Sequence, residues 1–246
     1  MIGPFLRLRV FLRSFAIQGS WNYRTLLGTG FAFALLPVLR VVYRERTALH
    51  AAVDRHASLF NSHPYLAGIA LGAVARLEAD GAPPELIERF KAALRGSLGQ
   101  LGDRLVWAGW RPACVLLALA LLLAGLPWWG VLAVFLLVYN AGHIALRWWA
   151  LRTGFESGRQ VAERVRAAGL DALRERIATA GALGTGVLLP LLVVRGAGME
   201  PVTLWGSLLA ASAAALGVLF GARIRTPVIG GLTALIALGF LLKVTQ

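Results

Sequence analysis

The chain has 246 residues, of which 58% are hydrophobic and only 15% are charged. Soluble domains average about 45–50% apolar and about 25% charged residues, so this composition excludes an ordinary soluble globule and indicates an integral membrane protein. The formal net charge is +13, which we interpret as basic loops facing an anionic cytoplasmic leaflet. Nucleic-acid binding is not expected, because no basic run is interleaved with exposed aromatic residues.

The N-terminal region carries short apolar segments rather than a complete membrane span. Residues 1–24 mix aromatic and aliphatic side chains with arginines, which predicts a helix lying in the membrane interface. Residues 25–39 lack charges but would reach only about 22 Å as a helix, short of a hydrocarbon core of about 30 Å. Residues 58–75 contain His63-Pro64, which predicts a broken or re-entrant element.

A polar middle region follows, in which Pro83-Pro84 opens an amphipathic helix. Gly96, Gly99 and Gly102 then recur at every third position before Asp103. We interpret this glycine-rich segment as a flexible backbone that ends in an acid.

The C-terminal region contains the strongest membrane signal. Residues 112–146 include no Asp, Glu, Lys or Arg, and one helix of that length would reach about 52 Å, so a hairpin of two short spans turning at Pro127–Gly130 is more economical. The segment 147–176 has seven arginines against four acids and predicts a cytoplasmic amphipathic helix. Under the positive-inside rule we expect a cytoplasmic N-terminus and an external C-terminus. Three more spans are predicted over 177–194, 201–222 and 226–242.

These patterns predict an all-α, polytopic integral membrane protein with interfacial and re-entrant helices and about five transmembrane spans. We divide the chain into an N-terminal interfacial and re-entrant region (1–75), an amphipathic helix with a glycine-rich segment (76–111) and a transmembrane helical region (112–246) that contains the cytoplasmic segment 147–176.

The chemistry-bearing residues do not form a recognisable catalytic or metal motif. The sequence has no phosphate-binding loop or hydrolase motif, and its four histidines lack ligand spacing, so neither a metal nor a cofactor is expected. The cluster Gln18–Tyr23 combines amides and a hydroxyl with aromatic rings, which suits a sugar because its hydroxyls need hydrogen bonds while its CH faces stack on rings. An interfacial turn anchored by Trp21 and Tyr23 explains the same residues.

Two further polar residues are candidates for a site. Asn61 lies in the second half-inserted segment, and Asp103 precedes the first strong span. An aspartate at membrane depth is costly and is a functional hypothesis by default, although an ion pair with Arg104 or Arg111 explains it equally well. The predicted substrate-binding residues are Gln18, Ser20, Trp21, Asn22, Asn61 and Asp103.

Several short motifs follow one another in a fixed order along the chain. They are Arg13-Ser14, Gln18-x-Ser20-Trp21-Asn22-Tyr23, Gly30-Phe31, Pro37, Tyr43, Arg55-His56, Phe60-Asn61-x-x-Pro64, Gly102-Asp103, Trp107, Arg111-Pro112, Asn140, Arg147, Gly154 and Gly158. In this order and spacing the chain resembles the IID component of the mannose/fructose/sorbose family of the bacterial phosphotransferase system. The resemblance covers residues 10–195 well and the last two spans loosely.

The resemblance implies a multi-pass, non-catalytic subunit of the bacterial inner membrane that carries no phosphorylated histidine. It implies a hetero-oligomer in membrane lipid, in which a IIC membrane subunit and this chain form the sugar translocation unit. Uptake of a mannose-, fructose- or sorbose-type sugar is then coupled to phosphorylation by the IIB (IIAB) phosphocarrier.

The chain departs from the family pattern at several positions. The family commonly has Glu-Arg at Arg24-Thr25, Gln at Leu27 and His63, and Pro at Ser97 and Arg104, and a long external insertion is replaced by the short loop 195–200. These departures support an alternative function, a regulatory or scaffold membrane protein that keeps the IID fold without sugar transport.

Overall fold

A computed structural model describes residues 2–196, and within this range the chain is helical. A π-helix, Asp103–Trp110, connects the fifth and sixth α-helices, and a 3₁₀ turn, Gly158–Gln160, separates the seventh from the eighth. Isolated β-bridges occur, but no strand is present among these residues. The α-helices are α1 Pro4–Ser14, α2 Gly28–Val42, α3 Arg46–Ala57, α4 Ala67–Ala79, α5 Pro84–Gly102, α6 Arg111–Leu123, α7 Trp128–Ser157, α8 Val161–Ala167 and α9 Leu170–Gly196.

Two stretches of helix are long and apolar enough to cross a membrane, Pro84–Leu123 and Trp128–Thr185, and Gly28–Val42 is a shorter apolar helix. The predicted all-helical membrane fold is therefore confirmed. The predicted break at the Pro-Trp-Trp-Gly sequence is also confirmed, since α6 ends at Leu123 and α7 begins at Trp128. The predicted spans 201–222 and 226–242 lie outside the described residues.

The helix boundaries after residue 146 differ from the prediction. The segment 147–176 is not one amphipathic helix, because α7 continues to Ser157 and the remainder is divided among the 3₁₀ turn, α8 and the start of α9. Ala150, Leu151 and Phe155 are buried, so the end of α7 is covered by protein although its sequence is polar on other faces. α9 likewise begins at Leu170 rather than at residue 177.

The N-terminal predictions need two corrections. The first helix covers only Pro4–Ser14, and turns follow it to residue 27. The glycine-rich segment is not irregular, because Gly96–Gly102 lies within α5. The buried Leu94 and Leu98 hold this part of α5 in place, so packing outweighs the low helix propensity of glycine. The break predicted at His63-Pro64 is confirmed, since α3 ends at Ala57 and α4 begins at Ala67.

The chain forms two compact units. The first contains Met1–Val106 and Asn140–Leu170, and the second contains Trp107–Tyr139 with the segment that begins at Asp171. In the first unit α4 is almost entirely buried, and α2 packs against α1, α3 and α4. Gly72 of α4 and Gly154 of α7 allow these two helices to approach closely, since a Cβ atom at either position would overlap the backbone of the other helix.

Glu78 on α4 is a buried carboxylate that connects three parts of the first unit. Its Oε1 accepts hydrogen bonds from Arg55 Nη2 at 2.8 Å and His56 Nε2 at 2.6 Å, and its Oε2 accepts one from Tyr43 Oη at 2.5 Å. Burial by itself raises the pKa of Glu78, but the hydrogen bonds from His56, Arg55 and Tyr43 outweigh it and lower the pKa to about 2. Burial also lowers the pKa of His56, so a neutral imidazole donates its Nε2–H to an ionised carboxylate whose charge Arg55 balances.

Candidate functional site

An open cleft of about 590 Å³ lies in the first unit, between the loop that follows α3 and the C-terminal part of α5. One wall is formed by Leu26, Leu59 and Asn61. The second wall is one side of a helix, because its residues form two adjacent rows in which the spacing is four. This face consists of Arg95, Gly96, Gly99, Gln100, Asp103 and Arg104. We call this space the Asn61–Asp103 cleft, since it brings together these two predicted site residues from distant parts of the sequence.

The turn that precedes the first wall is built by the side chain of Asn22. Its Oδ1 accepts hydrogen bonds from the backbone N–H groups of Arg24 at 3.0 Å and Thr25 at 2.9 Å, and its Nδ2 donates to Thr25 Oγ1 at 2.8 Å. Asparagine is suited to this position because its short side chain can bond the backbone two and three residues further on. The amide of Asn22 is therefore used within the protein to shape the turn.

Leu26 lies in the wall with a strained backbone. Its φ angle is +52°, a left-handed conformation that a leucine rarely adopts and that costs of the order of 1–3 kcal/mol. The conformation is held by a 2.8 Å hydrogen bond from Leu26 N to Asn22 O. Adjacent bonds from Leu27 N to Phe60 O at 2.8 Å and from Phe60 N to Thr25 O at 3.2 Å attach the turn to the loop before α4. Leu26 and Asn61 are thereby held on the same wall.

Lys91 on α5 holds the loop that follows α3 in place. Its side chain is almost fully buried, and Nζ donates to His56 O at 2.9 Å and to Ser58 Oγ at 3.2 Å. The ammonium group also lies 5.1 Å from the centroid of the Phe31 ring. A cation at the C-terminal end of α3 satisfies carbonyl groups that the helix leaves unpaired. Lys91 thus connects the cleft wall to the hydrogen-bonded group formed by Glu78, Arg55, His56 and Tyr43, which we call the Glu78 network.

The second wall ends in the π-helix Asp103–Trp110. π-helices are rare and occur frequently at functional sites. Gly102, the last residue of α5, packs directly on His63, since a Cβ atom at this position would overlap the imidazole. This contact places the end of α5 against the His63-Pro64 break, and the first residues of the π-helix, Asp103 and Arg104, then line the cleft.

The charged groups of the cleft form no ion pair with another described residue. Asp103 and Arg104 are exposed and Arg95 is half-buried, and none of the three takes part in the ion pairs found within residues 2–196. The ion pair considered for Asp103 with Arg104 or Arg111 is therefore not formed. The side chain of Arg111 lies instead over the ring of Trp107, 5.1 Å from its centroid.

The other predicted site residues lie outside the cleft lining. Ser20 Oγ is 2.7 Å from Thr29 Oγ1, which also donates to the carbonyl of Ser20 at 3.0 Å. Trp21 and Tyr23 are exposed and form an edge-to-face ring pair with centroids 4.8 Å apart. Gln18 is exposed, and its side chain makes no hydrogen bond with another described residue.

Sequence reasoning did not find Arg95, Gln100 or Arg104 as site residues. Their spacing with Asp103 on one side of a helix could have predicted that they lie together. The sequence did not predict that the irregular segments with Leu26, Leu59 and Asn61 lie opposite them. Within the described part of the chain, no group of three or more His, Cys, Asp or Glu side chains could hold a metal ion. The cleft offers hydrogen-bond donors and acceptors, which fits a polar, hydroxylated ligand.

Comparisons with known proteins agree on one family. Residues 6–196 match the model of the PTS system mannose/fructose/sorbose family IID component. The chain is 30% identical over 209 residues to the sorbose-specific EIID component of Klebsiella pneumoniae, covering 79% of this chain and 75% of the relative. It is 32% identical over 185 residues to the mannose-specific EIID component of Escherichia coli strain K12, covering 73% of this chain and 65% of the relative.

Two solved structures share the fold. One is the mannose transporter ManYZ, determined by cryo-electron microscopy in complex with microcin E492 (MceA). It matches with a TM-score of 0.58 and 24% identity, and the match covers 98% of this chain and 94% of that chain. The other is described as a membrane protein, with a TM-score of 0.66, 22% identity and coverage of 98% and 96%.

Proposed function

Because the chain belongs to the mannose/fructose/sorbose family of phosphotransferase IID components, we propose that it is the IID subunit of a sugar permease in the bacterial inner membrane. It pairs with a IIC subunit, and the two form the translocation unit for a mannose-, fructose- or sorbose-type sugar. Uptake is coupled to phosphorylation by IIB, while this chain contributes binding and structure rather than catalysis.

The observation that carries the sugar-binding part of the proposal is the Asn61–Asp103 cleft. Asn61 and Gln100 each provide a donor and an acceptor, and Asp103 provides acceptors, in a space that opens to solvent. A sugar hydroxyl both donates and accepts hydrogen bonds, so these groups can replace the water that a sugar loses when it leaves solution. The open cleft lets a ligand enter from solvent and leave again.

The proposal divides the predicted site residues by their contacts. Asn61 and Asp103 contact the sugar or the gate through which it moves. Ser20 and Asn22 act through the turn that holds Leu26, since their polar atoms are bonded within the protein. Gln18 and Trp21 have exposed side chains that a sugar can reach.

The test is expression of the chain with its IIC and IIB partners in a bacterial strain that lacks its own permease of this family. Uptake of labelled mannose, fructose and sorbose is measured together with the yield of the IIC–IID complex. Asn61→Ala should reduce uptake about 2- to 13-fold at unchanged complex yield, because one hydrogen bond contributes about 0.5–1.5 kcal/mol. Asp103→Asn should reduce it at least as much, because bonds to an ionised group are stronger.

The matched control is Asp80→Asn, which neutralises an acid at the end of α4 whose ion pair with Arg76 is half-exposed. It should leave uptake unchanged. Normal uptake by both cleft variants would contradict the assignment of the cleft. A complex that assembles with IIC but takes up none of the three sugars would support the regulatory or scaffold function instead.

A further inference from the structure

The Asn61–Asp103 cleft carries more positive charge than a neutral sugar requires. Two guanidinium groups, those of Arg95 and Arg104, line it together with one carboxylate, that of Asp103. Neither arginine forms an ion pair with a carboxylate among residues 2–196. Both guanidinium groups are therefore available to an anion that enters the cleft.

We propose that the cleft binds a phosphorylated polyol, with Arg95 and Arg104 contacting the phosphoryl oxygens and Asn61, Gln100 and Asp103 contacting the hydroxyls. The inference rests on the proposed assignment of the cleft as a ligand site and names the class of its ligand. It adds Arg95, Gln100 and Arg104 to the site residues.

Phosphate is the anion that fits this set of side chains. The planar guanidinium donates two parallel hydrogen bonds to phosphate oxygens, and these charge-assisted bonds are roughly twice as strong as neutral ones. A phosphoryl group carries about −1.5 to −2 charges at pH 7, which matches two arginines. Asp103 accepts hydrogen bonds and repels a phosphoryl group, so it directs the hydroxylated part of the ligand to its own side of the cleft.

Both walls of the cleft contain irregular backbone. One wall depends on the left-handed backbone of Leu26, and the other begins a π-helix at Asp103. Both features cost free energy relative to regular structure and cluster at functional sites. Gly96 and Gly99 place no side chain in the space between the walls, which leaves room for a ligand.

Two sources can supply this chemistry. One is a soluble sugar phosphate, and the other is the headgroup of a glycerol phospholipid, which also joins a phosphate to a polyol. The experiment therefore has two arms, both with the full chain purified with its IIC subunit. In the first arm the complex in phosphatidylcholine nanodiscs is titrated with mannose 6-phosphate, with neutral mannose as the comparison. In the second arm the nanodiscs contain increasing fractions of phosphatidylglycerol, and thermal stabilisation and retained lipid are measured.

Charge variants test the role of the arginines. Arg95→Gln and Arg104→Gln should each weaken binding of the phosphorylated ligand about 10-fold or more, because each removes charge-assisted bonds. Arg89→Gln is the matched control, since Arg89 is an exposed arginine of the same helix that does not line the cleft. It should leave binding within about twofold.

A filling variant separates binding from folding. A Cβ atom at Gly96 would have no neighbour within 4 Å, and leucine has a higher helix propensity than glycine. Gly96→Leu should therefore leave the unfolding temperature unchanged or raised while it blocks the cleft and abolishes binding of the phosphorylated ligand. A loss of binding without a loss of stability cannot arise from misfolding.

The outcomes are distinct. Saturable binding of mannose 6-phosphate that depends on Arg95 and Arg104 supports a soluble ligand, and the same dependence for phosphatidylglycerol supports a lipid. Binding of neither, equal binding of mannose and its phosphate, or equal weakening by Arg89→Gln overturns the inference. Normal sugar uptake without phosphate binding would overturn this inference alone, whereas failure to assemble with IIC or to transport would overturn the proposed function.

Discussion

The free energy of unfolding of the first unit depends on the buried carboxylate of Glu78. Glu78→Gln should destabilise the protein by about 3–5 kcal/mol, because it leaves the largely buried Arg55 without its counter-charge. Asp80→Asn removes a carboxylate from a half-exposed pair and should cost about 1 kcal/mol or less. Thermal unfolding of the detergent-solubilised IIC–IID complex measures both variants. Equal losses would show that the Glu78 network is no more important than a surface ion pair.

His56 makes the stability of the first unit depend on pH. Burial lowers the pKa of His56 below its ordinary value of 6.5, so the unfolded chain binds this proton more readily than the folded chain. The corresponding stability is fully present above pH 6.5 and is lost as the pH falls below it. Glu78, with a pKa of about 2, contributes stability above its ordinary pKa of 4.5 and loses it only as the pH falls towards 2.

The measurement compares the unfolding temperature of the parent and of His56→Gln between pH 7.5 and pH 5. Glutamine can still donate a hydrogen bond to Glu78 but does not titrate. The parent should lose stability more steeply on acidification than the variant. Parallel slopes would mean that the pKa of His56 is the same in the folded and the unfolded chain, and a shallower loss in the parent would mean that folding raises this pKa.

The turn before α2 contains two kinds of residue. Some have side chains that hold the turn in shape, and others have exposed side chains that form no hydrogen bond within it. Asn22→Ala removes four hydrogen bonds that shape the turn and should lower the yield of the IIC–IID complex, with a loss of about 1–3 kcal/mol in stability. Gln18→Ala should leave the yield unchanged, since its side chain bonds no other described residue. Uptake is normalised to complex yield in both cases. Normal assembly of Asn22→Ala would contradict the structural role of the amide.

α4 and α7 cross in close contact at Gly72 and Gly154. Gly72→Ala and Gly154→Ala should each destabilise the first unit, because the added methyl group overlaps backbone atoms that cannot move aside easily. Gly96→Ala is the matched control, since its Cβ meets no neighbour and helix propensity favours alanine by about 1 kcal/mol. Thermal unfolding should therefore shift down for the first two variants and slightly up for the third. A uniform shift would exclude close packing as the cause.

The expected membrane topology is testable by labelling. The positive-inside rule places the turn between α6 and α7 outside the cell and the 3₁₀ turn after α7 in the cytoplasm. Cys114, the sole cysteine, is replaced by serine, and Ala124→Cys or Arg159→Cys is then introduced at exposed positions of these turns. A membrane-impermeant maleimide should label position 124 in intact cells and position 159 only after permeabilisation. The reverse pattern would invert the topology.

The composition and the local breakers of this chain determined much of the fold. The apolar content indicated a membrane protein because transfer of such a chain to water is unfavourable. Pro127, Pro83-Pro84 and His63-Pro64 marked helix boundaries that the structure contains, because proline acts on its own backbone and that of its neighbours. The order and spacing of short motifs identified the IID family. Each motif is a local stretch of sequence that can be recognised without knowing which residues it contacts.

Packing between segments that are distant in the sequence sets the end of α7 and brings the residues of the site together. The charges of 147–176 suggested an exposed segment, but packing against α4 extends α7 to Ser157. Asn61 and Asp103 were candidates from their chemistry, but no sequence pattern could place them across one cleft with Arg95 and Arg104. Their approach depends on the left-handed Leu26, the bonds between Thr25–Leu27 and Phe60, and the contact of Gly102 with His63. These are long-range contacts whose free energy appears only when the helices pack together, so local sequence preferences carry no record of them.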